Sequence, residues 1–580
     1  MIDPKSSVEK AEQYQYPAPF LSLLKKYGVP KEKALKLDYN EPTIKPNPRV
    51  LNALGRYIKK GQIQRYPDGG CGQLRYELAK YTGANPENII VGNGSDEILK
   101  AIAFAYISEN DEVVVPIPNY SMFIINAQLC GARIIEVSCS KELEFDINSV
   151  INAVTKNTKV IYLSNPNSPI GSVFKRLEII KLLEQCRKCL VVIDEAYFEF
   201  YGKSACDLID KYGNLIVTRT FSKAFSLASL RLGYAVSNEK NVRNMAKVMD
   251  PESVNSLAQI AGIESLKNFN YTEKFVKETI KSRNYLSDGL RKLGLQVYPA
   301  NSNFILARFP KKFSSAKICE ELESKGIFLR DRSKIPLLEN CVRIGVPLLK
   351  ESKILVSEIS KIMNPLLIFD IDGVLVDVSK SYRAAIKKTA GYFISGIIGD
   401  NEITEYKNKG GYNNDWDLTE ALIKSKGKII QKQKIIERFQ RYYRRLRDDE
   451  KWLLDKRILK RLSEKYNLAI LTGRPKGEAD YALRKNKAKD YFSAVIAMED
   501  VSKQKPNPEG LLKITGKFGN NGAYYFGDSV DDMKAAVLAG VKPIGVLAPQ
   551  DKSELLKNLL AKNGAKEVIR DINKIEGALK

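Results

Sequence analysis

Short, uninterrupted apolar segments alternate with helical patterns in two parts of the chain, from about residue 89 to residue 235 and again from residue 366 onward. The segment LLIF at 366–369 is apolar at every position, which is typical of a strand covered on both faces. Such strands alternating with helices indicate parallel α/β sheets. With 580 residues the chain is too long for one hydrophobic core, so at least two α/β domains are expected.

The composition excludes several classes of protein. Hydrophobic residues make up 44% and charged residues 28% of the chain, and no apolar run approaches the roughly 20 residues that a membrane span needs. The N-terminal residues are polar and carry no signal-peptide segment, so a cytoplasmic protein without a membrane partner is expected. The chain has no histidine, which excludes histidine-containing triads, histidine-ligated metals and histidine phosphotransfer.

The net charge of +25 is compatible with nucleic-acid binding or with small phosphorylated substrates. The densest basic run, RFQRYYRRLR at 438–447, lacks a nucleic-acid-binding fingerprint and is interpreted as a solvated helix face. We therefore expect small anionic substrates and no nucleic acid.

The eight cysteines all precede residue 370, and Cys186 and Cys189 form a C-x-x-C pair. A closed structural zinc site needs four ligands, and the sequence offers neither a second pair nor a histidine. The pair is therefore interpreted as ordinary helix positions. Free thiols fit a reducing compartment.

One group of residues in the first α/β stretch matches the requirements of pyridoxal phosphate chemistry. Such an enzyme needs a lysine that bonds to the cofactor, a carboxylate that keeps the pyridine nitrogen protonated, and donors for the 5′-phosphate. Lys223 lies between hydroxyl residues in TFSKAFS, and Asp194 ends an apolar strand. Ser95 begins a helix after a glycine turn, which is a typical anion site, and Ser222 and Arg231 follow in suitable order.

Residues 15–363 resemble the fold-type I aminotransferases and, within them, histidinol-phosphate aminotransferase. The motifs that support the resemblance follow one another along the chain: LDYNEPT (37–43), RYPDGG (65–70), GNGSDEIL (92–99), SNPNSPIG (164–171), DEAYFEF (194–200), TFSKAFSLASLRLGY (220–234), NFILARF (303–309) and CVRIGV (341–346). The resemblance implies one α/β transferase domain over residues 1–363. Its large parallel-sheet part is expected at about 50–247 and its small α/β part at 15–49 and 248–363.

That resemblance also implies roles for single residues. Lys223 bonds to the cofactor and shuttles the proton of transamination, and Asp194 pairs with the pyridinium. Tyr197 contacts the phenolate oxygen of the cofactor, and Tyr120 stacks on its ring. Tyr66 would reach the phosphate in the partner subunit's site, which implies a homodimer. The remaining cofactor contacts implied by the family are Ser95, Asp96, Ser168, Ser222 and Arg231.

The same family implies three substrate contacts. Arg343 matches the arginine that binds the carboxylate of glutamate or 2-oxoglutarate. It also meets the phosphate of the other substrate, with help from Arg330, because a guanidinium fork suits either anion. Asn40 of LDYN is the third contact.

Two positions depart from the family pattern. In its N-P-T-G motif, the asparagine that donates to the cofactor falls on Ser168 and the threonine falls on Ile170. Serine reaches less far, and Asn167 is a candidate to compensate. Where the family often has a tyrosine on the substrate phosphate, this chain has Phe20. Neither change removes catalysis.

The second α/β stretch presents polar side chains at the ends of three apolar strands. Asp370 and Asp372 follow the first strand, Thr472 follows the second, and Asp528 and Asp532 follow the third. The carboxyl ends of parallel strands share one edge of a sheet, so these residues are expected to meet there. Carboxylates that hold Mg²⁺, a hydroxyl and a lysine are the parts of phosphoryl transfer to an aspartate.

Residues 366–575 resemble the haloacid dehalogenase-like hydrolases. The resemblance implies that Asp370 is the nucleophile, that Asp372 is the general acid and base, and that Thr472 binds the phosphoryl group. Lys505 is the implied lysine, with Lys503 as its alternative. The implied Mg²⁺ ligands are the Ile371 carbonyl and the carboxylates of Asp370, Asp372, Asp528 and Asp532. Asp531 is the alternative to its neighbour Asp532. The domain, 366–580, is expected to be Rossmann-like, with an inserted helical cap at about 380–455 that selects the substrate.

Together the two resemblances imply a bifunctional enzyme of histidine biosynthesis. The first domain would convert imidazole-acetol phosphate and glutamate to histidinol phosphate and 2-oxoglutarate, and a Mg²⁺-dependent phosphatase would then remove the phosphate. The absence of histidine fits an enzyme that is needed when histidine is scarce. One alternative is an aromatic aminotransferase or a threonine-phosphate decarboxylase joined to a phosphatase of another substrate. The other is a basic nucleic-acid-binding or regulatory protein on an enzyme scaffold.

Overall fold

The computed structural model describes residues 2–11, 18–412, 414–518 and 522–579. The chain divides into two compact units between Ile359 and Ser360. The predicted domain boundary, at residues 363–366, lies just after this division, at the end of the helix Leu349–Met363. Residue 15, the predicted start of the small domain, lies outside the described residues.

A seven-stranded sheet forms the centre of the first unit. The strand Gly233–Ser237 is antiparallel to both of its neighbours, whereas the other neighbouring strands are parallel to each other. In spatial order the strands are Ile89–Gly92, Gly233–Ser237, Leu215–Thr220, Leu190–Asp194, Thr158–Ser164, Glu112–Ile117 and Arg133–Ser138.

Both faces of this sheet are buried. Val191 and Ile193 pack in one apolar cluster and Val192, between them, packs in another. This alternation explains why the strand is apolar at every position before its terminal aspartate. The helices of this part of the unit are Pro48–Lys59, Gly72–Thr82, Ser95–Tyr106, Ser121–Leu129, Ile147–Asn152, Arg176–Gln185, Phe198–Tyr201, Glu239–Ala246, Ser256–Lys267 and Phe269–Lys292.

The rest of the first unit contains a four-stranded antiparallel sheet. Its strands, in spatial order, are Arg330–Asp331, Cys341–Gly345, Phe304–Arg308 and Gln296–Val297. A separate parallel pair joins Leu35–Lys36 to Ile327–Phe328. The accompanying helices are Ser6–Lys10, Phe20–Tyr27, Ser315–Ser324 and Leu349–Met363.

The second unit is built on a six-stranded sheet that is parallel throughout. Its strands, in spatial order, are Ala494–Ile496, Asn467–Leu471, Leu366–Phe369, Tyr524–Gly527, Lys542–Val546 and Glu567–Ile569. The three strands with predicted catalytic tips are therefore direct neighbours. The helices that accompany them are Lys456–Lys465, Lys476–Lys485, Glu509–Phe518, Val530–Leu538, Glu554–Lys562 and Ile575–Ala578.

Four helices are inserted after the first strand of the second unit, where the sequence predicts a helical cap. An antiparallel pair, Val376–Asp377 with Lys451–Trp452, joins the two ends of the insertion. The inserted helices are Tyr382–Ile394, Asp400–Lys409, Asp415–Ser425 and Lys432–Leu446. The basic run lies at the end of the last of these helices, where Phe439 and Tyr443 are buried between exposed arginines.

Across the described residues, every helix is too short or too polar to cross a membrane.

Candidate active sites

No described side chain caps the start of the helix Ser95–Tyr106, so the first backbone N–H groups of this helix form a cradle. Gly94, just before this helix, has φ +84°, and a Cβ atom there would lie 2.5 Å from Nη2 of Arg231. A Cβ atom on Gly233 would overlap the backbone nitrogen of Ser95. Glycine at both positions lets the arginine approach the positive end of the helix. Free N–H groups at a helix start beside a guanidinium suit a phosphate group.

Four of the predicted cofactor contacts surround this cradle. Nη2 of Arg231 donates to Oδ2 of Asp96 at 2.8 Å, and the Tyr120 hydroxyl donates to the other carboxylate oxygen, also at 2.8 Å. Nη1 of Arg231 lies 3.5 Å from Oγ of Ser222, which accepts a hydrogen bond from Thr220 at 3.0 Å. The structure thus brings together Ser95, Asp96, Tyr120, Ser222 and Arg231.

Asp194 is almost completely buried at the end of its strand. Oδ1 accepts hydrogen bonds from Thr218 Oγ1 at 3.2 Å and from the Ala196 N–H at 3.1 Å, and Oδ2 accepts one from the Tyr162 hydroxyl at 3.0 Å. Burial raises the pKa of Asp194 from 3.8 to about 6, although these bonds favour the charged form. A cationic ring nitrogen beside the carboxylate would compensate its buried charge.

Tyr162 and Thr218 were not identified from the sequence. Thr218 lies directly opposite Asp194 on the neighbouring strand, and Tyr162 lies on the strand at the other side. Only the pairing of the strands brings these hydroxyl groups to the carboxylate, and no local motif signals it.

Lys223 lies near Tyr197, which is hydrogen-bonded to Asn40. Its Nζ donates to the carbonyl oxygen of Tyr39 at 2.9 Å and lies 5.8 Å from the centre of the Tyr197 ring. The Tyr197 hydroxyl accepts a hydrogen bond from Nδ2 of Asn40 at 3.0 Å. Oδ1 of Asn40 is buried without a hydrogen-bond partner. Because buried polar atoms normally have partners, this oxygen marks a place for a ligand.

Arg343 is buried on its strand, directly opposite Arg330 of the neighbouring antiparallel strand. Residues directly opposite each other project to the same face of a sheet, so the two guanidinium groups share a face. Nη2 of Arg343 donates to the carbonyl oxygen of Asp38 at 2.6 Å, and Nη1 lies 3.5 Å from Oγ of Ser168. The two predicted substrate arginines and the serine that departs from the family pattern are therefore neighbours.

The structure also shows the surroundings of Asn167, Phe20 and Tyr66, which the sequence singles out. The Asn167 amide accepts from the Ile170 N–H at 3.2 Å and donates to a carbonyl of a neighbouring loop at 3.2 Å, so it holds its own loop in place. Phe20 packs edge to face on Phe328, with ring centres 5.2 Å apart. Tyr66 is 90% exposed in the single chain.

Asp370, Asp528 and Asp532 gather at the carboxyl edge of the parallel sheet in the second unit. Each offers a carboxylate oxygen, and the three oxygens lie within 4.8 Å of one another. Gly373 has φ +72°, and a Cβ atom there would overlap Oδ2 of Asp528. Burial and the neighbouring carboxylates raise the pKa of Asp528, and that of Asp370 to about 7. A divalent cation would relieve this repulsion, and Mg²⁺ prefers carboxylate oxygens.

Lys505 is the lysine that reaches this group, whereas Lys503 is exposed. Nζ of Lys505 lies 2.8 Å from Oδ2 of Asp370 and 2.6 Å from Oδ1 of Asp532. Burial alone would lower the pKa of the lysine, but these two carboxylates raise it well above its usual value. Asp532 also accepts a hydrogen bond from the Tyr525 hydroxyl at 2.8 Å. A permanent positive charge is therefore held beside the predicted nucleophile.

Asp372 does not join the carboxylate group that can hold a metal, which differs from the sequence prediction. Nε of Arg474 donates to its Oδ1 at 2.7 Å, and Nη1 of the same arginine lies 3.1 Å from Oε2 of Glu450. Arg474 is fully buried, whereas the Asp372 side chain is 26% exposed. The arginine already compensates the charge of Asp372, so its carboxylate is not needed by a cation. Neither Arg474 nor Glu450 was identified from the sequence.

Thr472 follows the strand that pairs directly with the one before Asp370. It is buried, and its Oγ1 accepts a hydrogen bond from the Arg474 N–H at 3.2 Å. Because the oxygen accepts this bond, the hydroxyl proton can be donated to an anion. The predicted phosphoryl ligand thus lies at the same sheet edge as the carboxylates.

Asp531, the alternative metal ligand, has a different partner. Its carboxylate accepts the N–H of Gly411, with the shorter contact at 2.9 Å. Gly411 belongs to the loop between two inserted helices, so Asp531 holds the insertion against the sheet edge.

A pocket extends from Asp370 and Asp372 to the inserted helices. The insertion therefore lines the catalytic pocket, as the predicted cap should. Its contributions include Arg383, Thr404, Lys407, Tyr412 and Asp415.

Residues 32–356 match the family of class I and II aminotransferases, over more than half of the chain. The chain belongs to this family. Residues 367–546 match the haloacid dehalogenase-like hydrolases. Both resemblances inferred from the sequence are confirmed. The chain is a fusion of an aminotransferase unit and a phosphatase unit.

Curated relatives agree with this assignment. Histidinol-phosphate aminotransferase of Thermoanaerobacter pseudethanolicus is 38% identical over 330 residues, 57% of this chain and 93% of the relative. The enzyme of the same name from Methanocaldococcus jannaschii is 36% identical over 333 residues, 56% of this chain and 88% of the relative.

Solved structures share the fold of the aminotransferase unit. Histidinol-phosphate aminotransferase of Sinorhizobium meliloti, in complex with pyridoxal-5′-phosphate, has a TM-score of 0.57 and 25% identity, over 62% of this chain and 97% of that chain. A threonine-phosphate decarboxylase of Porphyromonas gingivalis, at 24% identity and a TM-score of 0.50 over 56% of this chain and 97% of that chain, shares the fold alone.

The cofactors of the two families are pyridoxal phosphate and Mg²⁺, and the residues present fit both. In the aminotransferase unit, the N–H cradle beside Arg231 suits the phosphate, the buried Asp194 suits a cationic ring nitrogen, and Lys223 lies near Tyr197, which is hydrogen-bonded to Asn40. In the phosphatase unit, three clustered carboxylates suit a divalent cation.

The affinity of the apoprotein for pyridoxal phosphate is expected to fall as the pH falls below about 6. Asp194 without cofactor has a pKa of about 6, and only its charged form can pair with a protonated ring nitrogen. Below that pH, binding must first remove a proton, so the dissociation constant should rise about tenfold per pH unit. Absorbance titration of the apoprotein at a series of pH values measures this slope. Asp194→Asn should bind more weakly and show a smaller slope, to which the cofactor phosphate, with its second pKa of about 6, still contributes; an unchanged slope would contradict the assignment.

Arg474→Met is expected to lower the free energy of unfolding of the phosphatase unit. The change leaves the buried Glu450 without its counter-charge, and breaking a buried ion pair in this way costs about 3–5 kcal/mol. Both tryptophans of the chain, Trp416 and Trp452, belong to this unit, so denaturant titration followed by their fluorescence measures the effect.

Two further variants sharpen this measurement. Arg457→Met removes an arginine that is 87% exposed and paired with Asp455, and it should change the same free energy by less than about 1 kcal/mol. Adding Glu450→Leu to Arg474→Met should restore much of the stability without restoring phosphate release, because Asp372 still lacks its partner. Equal destabilisation by the buried and the exposed variants would contradict the role of the buried pair.

Proposed function

We propose that the chain catalyses two consecutive steps of histidine biosynthesis. The aminotransferase unit would convert imidazole-acetol phosphate and glutamate to histidinol phosphate and 2-oxoglutarate, and the phosphatase unit would release the phosphate of histidinol phosphate. The observation that carries this proposal is the fusion itself. Relatives that match the first unit are named histidinol-phosphate aminotransferases, and that unit is joined to a hydrolase suited to phosphomonoesters.

In the aminotransferase unit, pyridoxal phosphate supplies an electron sink for the charge that develops on the substrate. Asp194 holds the proton on the ring nitrogen. Nζ of Lys223, released from the Tyr39 carbonyl, moves the proton of the transamination. Arg343 and Arg330 hold the carboxylate of glutamate and the phosphate of the second substrate in turn.

In the phosphatase unit, an oxygen of Asp370 attacks the phosphorus of the substrate, and the ester bond to the alcohol breaks. Asp372, held as a carboxylate by Arg474, takes the proton of the phosphate monoanion, passes it to the departing oxygen and then takes one from the water that cleaves the aspartyl phosphate. Thr472 and Lys505 bind the phosphoryl oxygens. Mg²⁺ would be held by Asp370, Asp528 and Asp532, where it offsets the charge of the reacting anions.

The assembly and compartment are parts of the same proposal. Aminotransferases of this fold are typically dimers, and the exposed Tyr66 is suited to reach the cofactor phosphate of a second subunit. The eight cysteines are free thiols, as in cytoplasmic proteins. Sedimentation of the purified chain tests the homodimer.

The test of the function is to supply imidazole-acetol phosphate, glutamate and Mg²⁺ to the purified protein. Histidinol, 2-oxoglutarate and phosphate are the expected products, and without Mg²⁺ the reaction should stop at histidinol phosphate. Release of phosphate from other monoesters while histidinol phosphate persists would refute the second half. Faster turnover of aromatic amino donors, or decarboxylation of threonine phosphate, would refute the first half.

A further inference from the structure

Three residues that line the pocket containing Asp370 and Asp372 each have a buried polar atom without a hydrogen-bond partner. The atoms are Nε of Arg383, Oδ1 of Asp415 and Oε1 of Gln550. In the described part of the second unit five such atoms occur, so more than half of them belong to residues that line this one pocket. A buried polar atom without a partner is costly, and its presence in a pocket indicates a ligand that supplies the missing bond.

Two of the three residues, Arg383 and Asp415, are held by neighbouring side chains. Arg383 is 6% exposed on the first inserted helix, and its Nη1 donates to Oγ1 of Thr404 at 3.2 Å, which leaves Nε unpartnered. Asp415 begins the third inserted helix, and Nζ of Lys407 lies 3.1 Å from its Oδ1. This lysine balances the charge of the carboxylate without the geometry of a hydrogen bond. Gln550 follows the fifth strand of the sheet.

The missing partners define the chemistry of the ligand. Nε of Arg383 is a donor and requires an acceptor such as a phosphate oxygen, whereas the oxygens of Asp415 and Gln550 require N–H or O–H donors. The lining of the pocket is also acidic, since its six aspartates outnumber Arg383 and Lys407 even when Arg474 and Lys505, which pair with Asp372 and Asp370, are added. Mg²⁺ and a phosphate dianion carry opposite charges of similar size, so the two together leave the negative charge of the lining uncompensated. The lining therefore favours a substrate whose alcohol part carries a positive charge.

We propose that this pocket binds a phosphomonoester whose alcohol carries an amine. The ammonium group donates to Oδ1 of Asp415 and Oε1 of Gln550, and Nε of Arg383 donates to an oxygen of the phosphate. The proposal rests on the proposed function, in which the aminotransferase unit installs an amine on a phosphorylated oxo compound.

The subsite has a consequence for the order of the two reactions. The oxo compound carries the same phosphate, but it has no ammonium group and would place its carbonyl oxygen against two acceptors. A site built to accept N–H donors rejects an analogue that lacks them far more strongly than an apolar pocket could. The phosphatase unit therefore hydrolyses the product of transamination and spares its substrate.

Phosphate release from pairs of esters that differ only in the amine tests the subsite. One pair is histidinol phosphate and 3-(imidazolyl)propyl phosphate, and the other is 2-aminoethyl phosphate and ethyl phosphate. The wild-type kcat/KM should be at least about 100-fold higher for the aminated member of each pair. Asp415→Asn and Gln550→Leu should each lower this ratio at least about tenfold.

Asp417→Asn is the matched control. Asp417 lies on the same helix as Asp415, is 41% exposed and pairs with Lys432, so its removal takes away the same charge outside the pocket. The ratio should not change in this variant. Tryptophan fluorescence shows whether each variant is folded, and Gln550→Leu, which alters no inserted helix, decides the question if Asp415→Asn does not fold.

Two results would overturn the subsite: equal kcat/KM for both members of each pair in the wild-type chain, or an unchanged ratio in the folded pocket variants. Failure of the proposed function looks different. If histidinol phosphate is not hydrolysed but 2-aminoethyl phosphate is preferred over ethyl phosphate, the subsite stands and the proposed substrate is wrong.

Discussion

Lys223→Ala is expected to lower the rate of transamination by at least about 10⁴-fold while phosphate release from histidinol phosphate stays unchanged. The variant loses the group that bonds to the cofactor and, in the same side chain, the group that moves the proton. Its effect on folding should be small, because Lys223 is half-buried and its Nζ makes one described hydrogen bond, to the Tyr39 carbonyl. Formation of 2-oxoglutarate from glutamate measures the loss.

The phosphatase unit of the same chain is an internal control for this variant. A preparation that releases phosphate at the wild-type rate is present at the stated concentration and is folded at least in that unit. Lys203→Ala removes an exposed lysine of the aminotransferase unit and should leave both activities unchanged. Transamination that persists in Lys223→Ala would rule out the assigned lysine, and loss of both activities would indicate a defect other than catalysis.

The sequence predicts the catalytic groups that lie at the ends of strands. Asp194, Asp370, Thr472 and Asp528 each follow an apolar run, and parallel strands bring their carboxyl ends to one edge of a sheet. An apolar run therefore predicts a strand that is buried on both faces, and it also predicts that the polar side chain at the end of the strand lies at this edge. Lys505 is buried and Lys503 is exposed, and this difference selects Lys505 as the lysine of the site. The sequence does not show which of two lysines so close together in one loop is buried.

Partners that reach the site from other elements could not be predicted in this way. Thr218 meets Asp194 through the register of two strands, and Tyr162 meets it from the strand on the other side. Register depends on the packing of whole sheets, and it leaves no local pattern. Arg474 is a further case, because it binds a carboxylate about a hundred residues earlier in the chain.

The resemblance implies that Asp372 is a metal ligand together with Asp370, whereas the structure places Asp372 outside the cluster that Asp370 forms with two other aspartates. The chain has already left the strand at Asp372, with Gly373 at φ +72°, and Asp372 accepts hydrogen bonds from Arg474 instead. The buried Arg474 compensates the charge of Asp372 and leaves Asp370 to a cation. The two carboxylates therefore have separate roles.

Asp370→Asn is expected to lower phosphate release by at least about 10⁴-fold while transamination stays unchanged. An amide oxygen has the shape of the carboxylate oxygen but cannot form the acyl phosphate. The substitution should not unfold the unit, because burial raises the pKa of Asp370 to about 7 and a neutral side chain removes a charge that the site disfavours. Lys505 keeps its second partner, Asp532, at 2.6 Å.

The covalent step gives this prediction a second readout. Acid quenching of the wild-type chain during turnover should trap phosphate on the peptide that contains Asp370, as detected by mass spectrometry, and the Asn variant should carry none. Asp490→Asn, at an exposed aspartate of the same unit, is the matched control and should behave as the wild type in both assays. Phosphate located by fragmentation on Asp372 rather than Asp370, or turnover that survives in Asp370→Asn but not in Asp372→Asn, would exchange the roles of the two carboxylates. The positions of the two carboxylates argue against that exchange, because Asp370 lies in the cluster that would hold the cation, whereas Asp372 lies outside it beside Arg474.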